Sequence, residues 1–200
     1  MKEVIEVKRD DLRELYQVLT NYPAISKEQV QNEMHKVFGE DTFKPKDITE
    51  RVKTFEDACR ELGEEHPFVS AYTAWIKHEE FDDQEDILAY MKLRIICAAL
   101  NEGWEPQFTE DEWRYYPWNI LWTEEELSEK SDEWKTDRHL ISTGEYQTDY
   151  AGLAYAYSSN APSTTNADLG SRLCLKSDTL AVYCGKQFIN IWADFYLIRK

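Results

Sequence analysis

The residues best suited to chemistry in this chain are its aromatic rings and its carboxylates, and they crowd one region. Trp104, Trp113, Trp118, Trp122 and Trp134, five of the seven tryptophans, fall within residues 104–134. Residues 104–149 hold 13 acidic and 4 basic side chains, a net of −9 in a chain whose total is −16. Rings in an acidic setting suit a stacking platform for sugars, a hot spot for a protein partner, or a core beneath helices. Tyr115, Tyr116, Trp118 and Trp122 are the candidate binding residues, because Pro117 is expected to break the segment into a surface turn. Arg172 and Lys176 fall on one face of a strand expected over 171–176. They suit an anion or acidic partner, or salt bridges to the acidic middle of the chain.

Other chemistries lack their motifs. His35, His66, His78 and His139 are far apart in sequence, so neither a metal nor a cofactor is expected. Asp82-x-Gln84-x-Asp86 imitates the start of a calcium loop, but without the turn glycine and the closing glutamate. There is no GxSxG or SxxK frame for a nucleophile and no glycine-rich phosphate loop. With 39 carboxylates, some pair is close in any fold, so a carboxylate enzyme or glycan binder stays open as an alternative. Cys59, Cys97, Cys174 and Cys184 are scattered singly, the pattern of free thiols in a reducing compartment such as the cytoplasm. The negative charge repels phosphates and anionic membranes, so no direct nucleic-acid or membrane binding is expected. The apolar run Ile95 to Leu100 is far shorter than the roughly 18 residues of a membrane span.

The elements that must position these residues follow from periodicity and capping. Glu3 to Val7 alternates like a short strand. Asp10 or Asp11 is expected to cap a first helix, and Ser26 a second that ends at Gly39. A linker over Glu40 to Lys46 divides a small helical extension, residues 1–46, from a main domain, residues 47–200. Thr54 with Asp57 forms a capping box, and Pro67 suits a first helical position. Ile87, Leu88, Met91, Ile95, Ala98 and Ala99 predict an apolar helical stripe closed by Gly103. From Trp104 to Tyr157 strands and loops are expected, with strands at His139 to Ser142 and Leu153 to Tyr157, then a loop over Ser158 to Asp168. Ser177 caps a last helix with a stripe of Leu180, Cys184, Phe188, Ile191 and Phe195, and Gly185 permits its close approach to a sheet. The fold class is α+β: N-terminal helices, then a small antiparallel sheet covered by a C-terminal helix.

Five segments taken in order, Thr54-Phe55-Glu56-Asp57-Ala58-Cys59, Ala98-Ala99-Leu100-Asn101-Glu102-Gly103-Trp104, Tyr115-Tyr116-Pro117-Trp118, Gly170-Ser171-Arg172-Leu173-Cys174-Leu175-Lys176-Ser177 and Gly185-Lys186-Gln187-Phe188, resemble a family of uncharacterised proteins. That family is associated with gut anaerobic bacteria, their prophages and their phages. The resemblance spans residues 48–200 and treats 1–47 as a variable extension. It implies a phage or mobile-element accessory protein and carries no catalytic residue across. The expected function is therefore non-enzymatic binding of a protein partner. An acidic mimic of nucleic acid, occupying a DNA-binding protein, is the alternative from a different class.

Overall fold

The computed structural model describes residues 6–24, 26–39, 42–77, 84–107, 109, 111–162 and 171–200. The chain divides into two compact units, Met1–Asp47 and Ile48–Lys200. In the first, helices α1 (Arg9–Thr20) and α2 (Lys27–Phe38) pair, and neither has a fully buried residue. Tyr16 stacks on Phe43 at 4.5 Å and on His35 at 5.7 Å, and the Arg13 Nε–H donates to the Thr42 carbonyl at 2.9 Å. Ser26 caps α2 as expected. The cap of α1 is Lys8, with no side-chain bond, so Asp10 and Asp11 lie inside the first turn and suit the dipole instead. The strand expected at Glu3 to Val7 falls largely outside the described residues.

The second unit is built around helix α6 (Glu85–Asn101). Helices α3 (Ile48–Arg51), α4 (Phe55–Leu62) and α5 (Pro67–Trp75) precede it. The single apolar stripe expected for α6 is too narrow a description. Ala89, Leu93, Ile95, Ile96, Cys97, Ala99 and Leu100 are all buried, whereas Ile87 is exposed. Packing from α4, α5, α9 and α10 surrounds this helix, so the stretch from Ile95 to Leu100 is apolar all round. Glu102 and Gly103 end it with φ of 49° and 83°.

The capping box at α4 is present: the Asp57 N–H donates to the Thr54 hydroxyl, and the Thr54 N–H to the Asp57 carboxylate. Burial pushes the Asp57 carboxyl up, but the Lys53 and Thr54 N–H donors, the Thr54 hydroxyl and Arg60 outweigh it and leave it below its ordinary value. A carboxyl depressed in the folded state contributes stability at neutral pH that is lost as pH falls through its folded pKa. From about pH 5 down to about pH 2 the urea midpoint should therefore drop more steeply in the wild type than in Asp57→Asn. Parallel curves would remove Asp57 from the acid transition.

After α6 come β1 (Trp113–Trp122), α7 (Glu124–Ser128), α8 (Asp132–Asp137), β2 (Ile141–Ser142) and β3 (Gly152–Pro162). A 3-10 turn (Ser171–Leu173) then leads to α9 (Asp178–Gln187) and α10 (Ile189–Tyr196). The antiparallel sheet has the order β1-β3-β2, and α9 and α10 pack on it. The α+β class holds.

Four local expectations change. Helices α7 and α8 stand where only strands and loops were expected. The loop expected from Ser158 is strand as far as Pro162, and its remainder lies outside the described residues. The strand expected over 171–176 is a 3-10 turn followed by a single bridge, Tyr115 to Leu175. The continuous last helix breaks at Phe188 (φ −113°, ψ 26°), which ends α9 and begins α10.

Pro117 does not break the aromatic segment either. The Tyr115 N–H donates to the Leu175 carbonyl, on the side of β1 away from β3. Residue 117 has the same parity, so the N–H that proline lacks would point to that outer edge and not into the β1–β3 ladder. The expected surface turn is therefore a continuous strand.

Candidate functional site

The register of β1 on β3 sorts the aromatic side chains between two faces. Trp118 lies opposite Tyr157, but Asn119 lies opposite Tyr155, so Ala156 is the extra residue of a bulge. The chain satisfies the bulge directly: the Arg138 guanidinium donates to the Ala156 carbonyl, and the Tyr155 N–H donates to the Arg138 carbonyl at 3.0 Å. In a regular strand Tyr155 and Tyr157 would share a face. The bulge turns Tyr155 inward beside Leu153, Ile189 and Ala193, 4% exposed, and leaves Tyr157 outward at 52%.

The inner face carries Tyr115, Pro117, Asn119 and Leu121 of β1. It is covered where Gly185 of α9 meets Pro117 and Tyr155. A methyl group at Gly185 would stand 2.5 Å from Pro117 Cβ and 2.7 Å from Tyr155 Cδ2, so only glycine permits this approach. The outer face carries Arg114, Tyr116, Trp118, Ile120 and Trp122. At one end Leu127 and Leu140 close over Gly152, and Trp134 packs edge-on against Trp122 at 5.1 Å. Lys130 Nζ sits 5.0 Å from the Trp122 ring. At the other end Arg114 and Tyr116 are buried, with the Tyr116 hydroxyl beside the Cys174 thiol.

Between these covered ends the face is open. Trp118, 40% exposed, stacks on its cross-strand partner Tyr157 at 5.8 Å with planes 7° apart, and Ile120 beside them is also exposed. Cross-strand aromatic pairs normally stabilise a sheet from within a packed layer. Here the pair is offered to solvent.

The candidate residues therefore do not form one site. Tyr116, Trp118 and Trp122 share the outer face, of which only Trp118 is freely exposed; Tyr115 faces inward, half-buried against the core. Lys176 Nζ donates to the Glu102 carboxylate at 2.8 Å and to the Asn101 carbonyl at 3.2 Å. Its partner is thus the end of α6 and not the acidic 104–149 region. Arg172 is exposed beside a different concavity. Tyr157 and Ile120 complete the open patch, and no sequence motif marks either of them.

The chain matches no protein-family model, no curated protein and no solved structure. Its site is described by geometry alone.

Behind the patch, a cavity of about 250 Å3 lies between the inner face and α10, lined by Pro117, Trp118, Asn119, Leu121, Leu153, Tyr196 and Leu197. No carboxylate is in that lining. Burial pushes the Tyr196 phenol up, although the residue as a whole keeps 39% of its surface exposed. Burial, and then the hydrogen bond to Asp194 at 2.7 Å, push Tyr146 up to about 12. The cysteines are free, and the thiols of Cys97, Cys174 and Cys184 are buried. Cys97 is raised well above its usual value by its Cys184 partner and by burial, and burial pushes Cys174 up to about 11, the opposite of what an activated nucleophile needs. Among the described residues no His/Cys/Asp/Glu group of three or more is arranged to hold a metal ion, and no helix is long and apolar enough to cross a membrane.

Proposed function

We propose that this chain is a non-enzymatic accessory protein that binds another protein through the open outer face of its sheet. The observation that carries the reading is the solvent-exposed Trp118–Tyr157 stack with Ile120 beside it. Large rigid rings give contact area at little entropic cost, and they dominate interface energetics. The neighbouring α7–α8 segment presents Glu124, Glu125, Glu129, Asp132 and Glu133 to solvent. The preferred partner therefore carries an apolar anchor within a basic rim. The family resemblance adds the phage or mobile-element setting, and the free cysteines fit a cytoplasmic one.

The test is affinity capture from a lysate of the producing organism with wild type, Trp118→Ala and Tyr157→Ala as baits. Both variants should hold their free energy of unfolding in urea to within about 0.5 kcal/mol, as surface changes do. Each should lose a specific captured protein by about tenfold or more, the scale of a hot-spot deletion. Capture that is the same for all three baits, or no captured protein at micromolar bait, would sink the reading.

A further inference from the structure

A second concavity lies in the helical part of the Ile48–Lys200 unit. It encloses about 540 Å3, within the range of small-molecule sites. Its lining combines the rings of Phe68 and Trp104 with His66, Glu105 and Arg172. Asn101 fixes this arrangement from the end of α6. Its amide donates to the Cys174 carbonyl at 2.9 Å and accepts from the Lys176 N–H at 3.0 Å. That clamp ties the segment that follows the 3-10 turn to the helix and brings Arg172 to the cleft.

The cleft holds a cation that is not committed elsewhere. Carboxylates outnumber basic side chains 39 to 23, and Arg51, Lys176, Lys186 and Arg199 each pair with an acid. Arg172 and its neighbour Arg94 make no ion pair among the described residues. Arg94 lies over the Phe68 ring, its guanidinium carbon 4.0 Å from the centroid, and its buried Nε has no acceptor. Burial, and also the like charge of Arg172, act to lower its pKa. Arg94 lines a neighbouring concavity with Pro67, Phe68, Ala71 and Met91, so Arg172 is the guanidinium that this cleft offers to an arriving anion. Lys176 is already committed to Glu102.

His66 supplies a ring N–H donor. Its Nδ1 accepts from the Phe68 N–H at 3.3 Å, so in the neutral ring the proton sits on Nε2. Trp104 offers a stacking surface, and Glu105 an acceptor for a ligand hydroxyl or amino group.

The geometry points to this cleft as a binding site for a small organic anion that carries a planar ring, a phosphorylated ring of mononucleotide size. The anionic group sits against Arg172 and the Nε2–H of His66, and the ring lies on Trp104. This site is separate from the sheet patch and does not depend on it.

The experiment is calorimetric titration of the full chain with AMP, phenyl phosphate, adenosine and inorganic phosphate at low salt. AMP or phenyl phosphate should bind about tenfold or more tightly than adenosine and inorganic phosphate, with affinity falling as salt is raised. The tighter of the two tells a nucleotide from a simple aryl phosphate. Arg172→Gln, an exposed position whose fold is checked by circular dichroism, should weaken that binding about tenfold or more. Trp118→Ala should leave it unchanged. The proposal is overturned if neither phosphorylated ring binds at millimolar concentration. It is equally overturned if Arg172→Gln binds as the wild type does, or if inorganic phosphate alone binds as well.

Discussion

Trp192→Ala is expected to lower the free energy of unfolding by about 3–5 kcal/mol, the cost of emptying a buried tryptophan site. Trp192 has no exposed surface, stacks on Tyr196 at 5.6 Å and meets Phe195 edge-on at 6.1 Å. It belongs to the cluster in which α6, α9 and α10 meet. A domain stable by about 5–15 kcal/mol loses a large share of that margin. The same side chain carries a liability, because its indole N–H is buried with no acceptor among the described residues. An orphaned donor of this kind costs about 1–3 kcal/mol. Trp192→Phe removes the orphan together with part of the volume, so its loss should be less than half that of the alanine variant. Urea denaturation followed by far-UV circular dichroism measures both. Equal losses would show that the ring nitrogen is satisfied.

Asn101→Ala is expected to cost about 2–4 kcal/mol, because it strands the buried Cys174 carbonyl, at about 1–3 kcal/mol, and the part-buried Lys176 N–H, at about 1 kcal/mol. The damage should be local as well as global. The Leu175 N–H, bonded to the Tyr115 carbonyl at 2.9 Å, should exchange with solvent faster than amides in the middle of α6. Asn101→Asp keeps the acceptor for Lys176 but turns an oxygen toward the Cys174 carbonyl, so it should recover no more than half the loss. A cost below about 1 kcal/mol for the alanine variant, no more than one ordinary hydrogen bond, would mean that the clamp is incidental.

Local chemistry was legible in the sequence; what depended on distant contacts was not. Thr54, Ser26 and Ser177 cap the helices assigned to them because a hydroxyl three residues from a free N–H needs nothing further. The same signal is present at α7, where Thr123 and Glu126 form a second capping box, inside a segment whose density of tryptophan predicts strands. The break at Phe188 has no proline behind it, and packing of α9 and α10 decides it. Sequence placed aromatic residues in β1 but not their exposure. Tyr116 and Trp118 share a face, and the segment around Cys174, nearly sixty residues on, separates the buried one from the open one. The outward direction of Tyr157 is not legible in the alternating Leu153-Ala154-Tyr155-Ala156-Tyr157 run, because a one-residue bulge decides it.

Gly185 does more than let a helix come close. The space where its side chain would stand is filled from the other side by Pro117 and Tyr155, so sheet and helix engage like a key in a slot. Sliding α9 by one turn would drive a larger residue, such as Ala181, into that slot, and slipping β1 by two residues would replace the proline with Tyr115 or Asn119. Either movement collides before it gains a contact. An absent methyl group thus works as a latch on register: it holds β1 in the one alignment that leaves Trp118 facing Tyr157 on the other side of the sheet.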